Sequence, residues 1–334
     1  MTSKYSRGVL LCVIAAASWG GMFPVMTGAL KHIDPFTFTC IRYTIAGLCF
    51  LPLLLALEGR ASLRLGGERL WLAWFLGTSG FAGFQFLVFL GQKLVGKDGA
   101  LIASIMMVLQ PLLGFLANWV VRKVAPPKGA LVFIAMSLVG VLFVITNGHL
   151  SILIQRPQQY GADGLIILGA LCWVIYTMGG SFFPHWSPVK YTTVTTGLGL
   201  TSAYAITAIL LGTGLIAVPT GDSLVAVIPH LAYMGLAAGF CGVLFWNLGN
   251  KAIGPLNGVL FMDVVPITAF TITAFGGHKP GGMQIVGALI SATALVLNNM
   301  YLRRRQSSLT GPAAAKPAAS PAATVSAKAE AVSR

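Results

Sequence analysis

The chain is a succession of apolar runs, each about as long as a bilayer is thick. Roughly 20 apolar residues carry a helix across the hydrocarbon core. Ten runs meet that length, at 8–30, 35–57, 70–93, 99–121, 129–147, 163–183, 188–217, 229–251, 255–277 and 281–302. Inside lipid the backbone must satisfy its own hydrogen bonds, so only helices and closed barrels cross. At that length each run reads as a helix, the seventh least clearly, being long and rich in Thr and Gly. Charged residues make up 9% of the 334 positions, against about 25% in a soluble domain. The fold class predicted is an all-α, polytopic membrane protein of ten helices.

The formal charge of +14 would suggest nucleic acid in a soluble protein. Here the cations cluster in short loops, where they report orientation instead. With the N-terminus inside, thirteen Lys and Arg fall on one face: Lys4, Arg7, Arg60, Arg64, Arg69, Arg122, Lys123, Lys128, Lys190, Lys251, Arg303, Arg304 and Arg305. Five fall on the other: Lys31, Lys93, Lys97, Arg156 and Lys279. Both termini are therefore expected in the cytoplasm, with the lipid bilayer as surroundings and no nucleic-acid partner. The first run follows Lys4 and Arg7 like a signal peptide, but it exceeds the usual 7–15 residues or so and no A-x-A site follows it. It reads as an uncleaved first span. Cys12, Cys40, Cys49, Cys172 and Cys241 all sit in apolar runs without a CxxC pair. They read as buried thiols, with no metal and no disulfide.

The chain then repeats itself. Ala17-Ser18-Trp19 is echoed by Leu171-Cys172-Trp173, and His32…Pro35 by His185…Pro188. Leu90-Gly91-Gln92-Lys93 is echoed by Leu248-Gly249-Asn250-Lys251, and Met107…Pro111 by Met262…Pro266. The offsets are 154, 153, 158 and 155. The expected organisation is a cytoplasmic N-terminus (1–7), a first five-helix repeat (8–147), an external linker (148–162), a second repeat (163–302) and a basic, then disordered tail (303–334). Five crossings are an odd number, so the second repeat enters the membrane upside down. Inverted repeats are an architecture of alternating-access carriers, with the solute site near the midplane.

Candidate site residues follow from what lipid should reject. Asp263 is a carboxylate inside an apolar run, costing about 2.5–3.5 kcal/mol at the bilayer centre on insertion scales. It reads either as facing a wet cavity, beside solute or a coupling proton, or as a protonated group bonded to a neighbouring helix. Pro24, Pro111 and Pro266 remove helix hydrogen bonds and kink their spans. Gln85, Gln110 and Asn247 are isolated polar groups, suited to a cavity or to interhelical hydrogen bonds. Trp19, Trp173, Tyr176 and Trp246 are the expected aromatic lining. Trp71, Trp74, Trp119 and Trp186 read as packing or interfacial residues. Arg42 is the other deep charge. At a rise of 1.5 Å per residue it lies roughly 8–10 Å from Asp263 along the membrane normal, too far for a direct pair. It is expected to snorkel outward, to bind helix carbonyls or to touch an anionic group of the solute.

These residues resemble the ten-helix EamA branch of the drug/metabolite transporter superfamily. The matching segments are Ala17-Ser18-Trp19-Gly20, Ile41-Arg42-Tyr43 with Leu51-Pro52, and Trp246-Asn247 followed by Ile253-Gly254-Pro255 and Val265-Pro266. The resemblance covers 8–302. It implies spans 1, 3, 4, 6, 8 and 9 around a central cavity, and an inner-membrane carrier, commonly an exporter of small metabolites or amino acids. Similar proteins often carry Gly-Glu after spans 4 and 9. Here those positions read Val121-Arg122-Lys123 and Gly277-His278-Lys279, so no role of that Glu transfers.

The functional expectation is a cofactor-free secondary transporter exporting a small, partly apolar metabolite such as an amino acid. Drug efflux or uptake by the same fold is the alternative, and a second copy of the chain is a candidate partner. An enzyme would need convergent acids, bases or ligands, yet His32, His149, His185, His230 and His278 scatter over the span ends. A channel would need rings of polar groups along a pore, and one Asp with two Gln falls short.

Overall fold

The computed structural model describes residues 3–96, 99–123, 125, 127–149, 151, 160–275 and 281–310. Of the cations counted above, Lys97, Arg156 and Lys279 lie outside these residues, as does the segment Gly277-His278-Lys279. The described residues form helices and connecting turns. The spans become α1 (Lys4–Ala29), α2 (Pro35–Glu58), α3 (Leu70–Val95), α4 (99–122), α5 (Lys128–Thr146), α6 (Tyr160–Phe182), α7 (Pro188–Gly212), α8 (Gly221–Ile253), α9 (255–275) and α10 (Gly282–Thr310). Six of these are long and apolar enough to cross a membrane by themselves, and α4, bent by 41°, makes a seventh. Large apolar side chains point outward all round, among them Leu48, Trp71, Val132, Ile209 and Leu289. Water would reject such a surface; lipid does not.

The repeat is visible in how helices start and stop. Asp34 caps α2, its carboxylate accepting from the Phe36 and Thr37 amides at 2.8 Å, with Pro35 in the first turn. Ser187 caps α7 through the Lys190 amide, again followed by Pro188. Both pairs supply an acceptor to orphan amides and a preset φ. α3 ends at Gly96 (φ 82°) and α8 at Gly254 (φ 90°), a left-handed turn that favours glycine.

Packing obeys the same exchange of halves. α3 packs on α6 as α8 packs on α1; α6 lies on α4 as α1 lies on α9; α2 meets α7 and α5 meets α10. A Cβ on Gly91 would come within 2.7 Å of the Ala162 carbonyl, and one on Gly249 within 2.9 Å of the Gly8 carbonyl. The missing side chains let the backbones of α3–α6 and α8–α1 touch at repeat-related points.

Three span boundaries differ from the sequence expectation by five residues or more. α8 begins at Gly221, inside the expected connection 218–228. Thr220 caps it, and Asp222 sits in its first turn, where the helix dipole favours a negative charge; Pro229, read from sequence as a start, is inside the helix. α7 stops at Gly212, five residues short of the expected 217. α10 runs through Arg303–Arg305 to Thr310, so the expected tail begins as helix.

Candidate functional site

Proline placement shapes the centre of the molecule. In α4, Pro111 has no amide for the Met107 carbonyl. The Gln110 amide takes that carbonyl instead, tightening Met107–Leu109 into a 3-10 turn. In α9, Val259–Asp263 is likewise 3-10 ahead of Pro266, with the Val264 amide turned back to the Phe261 and Met262 carbonyls. In α1, Pro24 follows a break at Gly21 between Ser3–Gly20 and Met22–Ala29. α3 and α8 deviate the other way, through π-helical segments at Thr78–Gly83 and Tyr233–Gly242. Such segments were not foreseen. They widen the helix and re-aim the side chains that follow.

The 3-10 turns of α4 and α9 and the break in α1 border one cavity, and the π segment of α3 leads into it at Phe84 and Gln85. Its wall holds Trp19, Met22, Phe23, Arg42, Tyr43, Phe84, Gln85, Met107, Trp173, Met262 and Val265. Trp19 and Trp173 are repeat mates, as are Met107 and Met262, so both halves contribute matching residues to the wall. The free space is about 10 Å³, the room of about one water. Trp19 stands edge-on to Trp173, ring centroids 5.1 Å apart, and tilted against Trp246 at 5.1 Å. Phe84 and Tyr176 flank Trp173 at 5.2 and 5.1 Å.

The polar groups break this symmetry. Arg42 is 0% exposed, so it does not snorkel outward. Its Nη1 donates to Gln85 Oε1 at 2.9 Å, and its guanidinium lies 4.7 Å from the Tyr43 ring centre. Gln85 Nε2 donates to the Tyr43 hydroxyl at 2.9 Å. Thus Gln85 both lines the cavity and joins α3 to α2. No described carboxylate lies within ion-pair distance of Arg42. The repeat offset of 153 places Thr195 opposite Arg42, and its hydroxyl is spent on the Tyr191 carbonyl.

The remaining candidates stand elsewhere. Trp246 is fully buried behind Trp19, its Nε1 donating to Thr177 Oγ1 at 3.0 Å. Tyr176 is also buried; its hydroxyl and that of Thr192 each accept from Asn247 Nδ2 at 2.7 Å. Gln110 is buried with Nε2 on Met107 Sδ at 3.1 Å and no partner for Oε1, and it does not line the cavity. The side chain of Asp263 lies outside the described residues; its neighbour Met262 is in the wall. Among the described residues no cluster of His, Cys, Asp or Glu could hold a metal. Trp71, Trp74 and Trp119 are exposed, whereas Trp186 is buried with Nε1 on Glu68. Sequence reasoning missed Met22, Phe23, Tyr43, Phe84 and Val265 as lining. The paired Met107…Pro111 and Met262…Pro266 motifs were the one signal that pointed to lining methionines.

Two wider spaces open toward opposite ends of α7. One of about 220 Å³ lies at its start, bounded by Thr177, Trp186, Tyr191, Asn247, Asn250 and Lys251. The other, about 420 Å³, lies at its far end beside Lys31, His32, Asp34, Lys93 and Thr220. Tyr176, Trp246 and the Asn247–Thr192 hydrogen bond stand between the first space and the cage. The turns at that end also bind one another: Glu58 accepts from Ser187, Lys190 lies 3.9 Å from Glu68, and Lys251 donates to the Pro184 carbonyl. These are turns that the charge pattern assigns to one face.

Comparison with known proteins agrees with this architecture. The model of the EamA-like transporter family matches twice, over residues 6–146 and 161–300. An uncharacterized transporter of Bacillus subtilis (strain 168), YrdR, is 37% identical over 297 residues, 89% of this chain and 92% of its own. A second from the same organism, YyaM, is 27% identical over 301 residues, 87% and 94% of the two chains. A solved crystal structure superposes with a TM-score of 0.67 at 21% identity, over 90% of this chain and 99% of its own, a likeness of fold. With both halves matched and a relative of that identity along nearly the whole length, the chain belongs to the EamA-like transporter family and is a polytopic membrane transporter.

Proposed function

We propose that the protein is a secondary carrier that exports a small, partly apolar metabolite, an amino acid or a related compound, across the inner membrane by alternating access. The observation that carries this reading is a closed cage, built from repeat-related residues, set between two separate vestibules of about 220 and 420 Å³. Two halves that pack by the same rule can exchange conformations, opening the cage to one end or the other. Kinked and π-bulged spans around the cage, with touching glycine backbones between α3–α6 and α8–α1, supply surfaces that can rock. The vestibule bounded by Asn247 and Lys251 is the cytoplasmic one in this reading, because the cation-rich turns surround it. Asp263 is assigned as the proton-coupling group, being an acid on the 3-10 turn beside the cage wall.

The test is counterflow of labelled amino acids and small metabolites in proteoliposomes of the purified protein. Saturable counterflow is expected. Its absence across the whole panel would remove the carrier assignment. Asp263→Asn should retain counterflow and lose acceleration by a pH gradient; unchanged gradient dependence would remove the coupling role.

A further inference from the structure

The cage holds two buried hydrogen-bond donors with nothing to donate to. Trp19 Nε1 is spent on the Ala238 carbonyl at 2.9 Å, and Trp246 Nε1 on Thr177. Trp173 Nε1 has no partner, although the residue is 2% exposed and lines the cage. Arg42 Nε is likewise unpartnered, on a guanidinium that also lines the cage. A buried, unpaired N–H costs its full desolvation, and an unpaired buried cation costs more. Apart from these the wall is apolar, save for Gln85 and the Tyr43 hydroxyl, which already bond each other. Among the described side chains, the site is therefore short of acceptors and of negative charge in one and the same place.

We propose that this cage recognises the carboxylate of its solute, with Arg42 and the Trp173 indole N–H as the donors. The solute class is then a small organic acid, free or as part of an amino acid. A carboxylate offers acceptors on two oxygens, so it can meet a guanidinium edge and a separate N–H together. The rest of the solute lies among Met22, Met107, Met262 and Phe84. Methionines are flexible enough to withdraw when the cage, now the size of one water, opens to admit it. The cation has no counterpart at the repeat-related position in the second half, where Thr195 stands, so the near-symmetric cage binds one anion in one orientation. This inference rests on the carrier reading for its purpose but not for its test.

The experiment is a binding titration on the full-length protein in detergent, read by thermal shift and tryptophan fluorescence. The probes are acetate, isovalerate, phenylacetate, indole-3-acetate, L-leucine and L-phenylalanine, with isovaleramide and phenylacetamide as neutral isosteres. At least one acid should bind saturably, with its amide weaker by tenfold or more. Trp173→Phe keeps the ring and loses the donor; it should weaken that acid several-fold while leaving the melting temperature of the free protein near wild type. Arg42→Lys keeps the charge and loses the Nε donor, and should also weaken it. Amides binding as well as acids, no acid binding at all, or both variants binding within twofold of wild type would each overturn the assignment. Counterflow separates the two readings. Transport of a neutral solute without acid binding sinks the carboxylate site and keeps the carrier. Acid binding without any counterflow keeps the site and sinks the carrier.

Discussion

Replacing Gln85 with Leu should destabilise the protein more than its one side chain suggests. Two hydrogen bonds go at once, to Arg42 Nη1 and to the Tyr43 hydroxyl, both 2.9 Å. The neutral bond to Tyr43 is worth about 0.6 kcal/mol by the average of membrane double-mutant cycles. The charge-assisted one is worth about 1.5–3 kcal/mol. The expected loss for Gln85→Leu is therefore roughly 2–4 kcal/mol, while Tyr43→Phe should lose under ~2 kcal/mol. The decisive arm is the double variant Arg42→Met with Gln85→Leu. Removing the guanidinium forfeits its contact with the Tyr43 ring, worth up to ~2 kcal/mol. It also removes a buried charge left with too few partners, a penalty of several kcal/mol. The double variant should thus be more stable than Gln85→Leu alone. Equilibrium unfolding in mixed SDS micelles, followed by circular dichroism, gives the four corners of the cycle. If Gln85→Leu lies within about 0.5 kcal/mol of wild type, or if adding Arg42→Met costs further stability, the reasoning about a desolvated guanidinium fails.

Three further outcomes are expected. Asn247→Leu removes two bonds that close the cage toward the vestibule at the start of α7, together about 1.2 kcal/mol, which is roughly eightfold in an opening equilibrium. A thiol placed at Met107 in a background without the native cysteines should react correspondingly faster with a maleimide supplied from that end, and an unchanged rate would show that the barrier lies elsewhere. Gly249→Val puts a Cβ 2.4 Å from Cys12 Sγ and 2.9 Å from the Gly8 carbonyl, an overpacking of about 1–3 kcal/mol; its melting point should fall clearly, whereas Gly66→Ala, with no atom within 4 Å, should leave it unchanged. In single-tryptophan variants, brominated lipid should quench Trp74, 46% exposed, and spare Trp246, 0% exposed; equal quenching would contradict the packing of the aromatic cage.

Much of the architecture was legible before any coordinates. Run length and four spaced echoes were enough for the helical class and the repeat. The Asp34-Pro35 and Ser187-Pro188 starts, and the Gly96 and Gly254 stops, are local signals that the structure uses as local signals. The start of α8 was placed eight residues late, at 229; Pro229 sits inside the helix, where neighbours in a bundle can satisfy the carbonyl it frees. Of the site, Trp19, Trp173 and Gln85 could be named from residue type. Met22, Phe23 and Tyr43 could not, since nothing in an apolar run marks which face turns inward.

By itself, the order of residues determined that the chain crosses a membrane, that it does so in two related halves, and which turns gather the positive charge. Those properties depend on length and local chemistry. Only the tertiary structure decided that Arg42 is sealed inside against Gln85, that Gln110 stands apart from the cage, and that Trp173 alone of three clustered tryptophans keeps a free N–H. Rotation about each helix axis sets these outcomes, and that rotation is fixed by π and 3-10 turns and by contacts more than 40 residues away in the chain, as between Arg42 and Gln85 or Trp19 and Ala238. Such offsets leave no trace in composition or spacing.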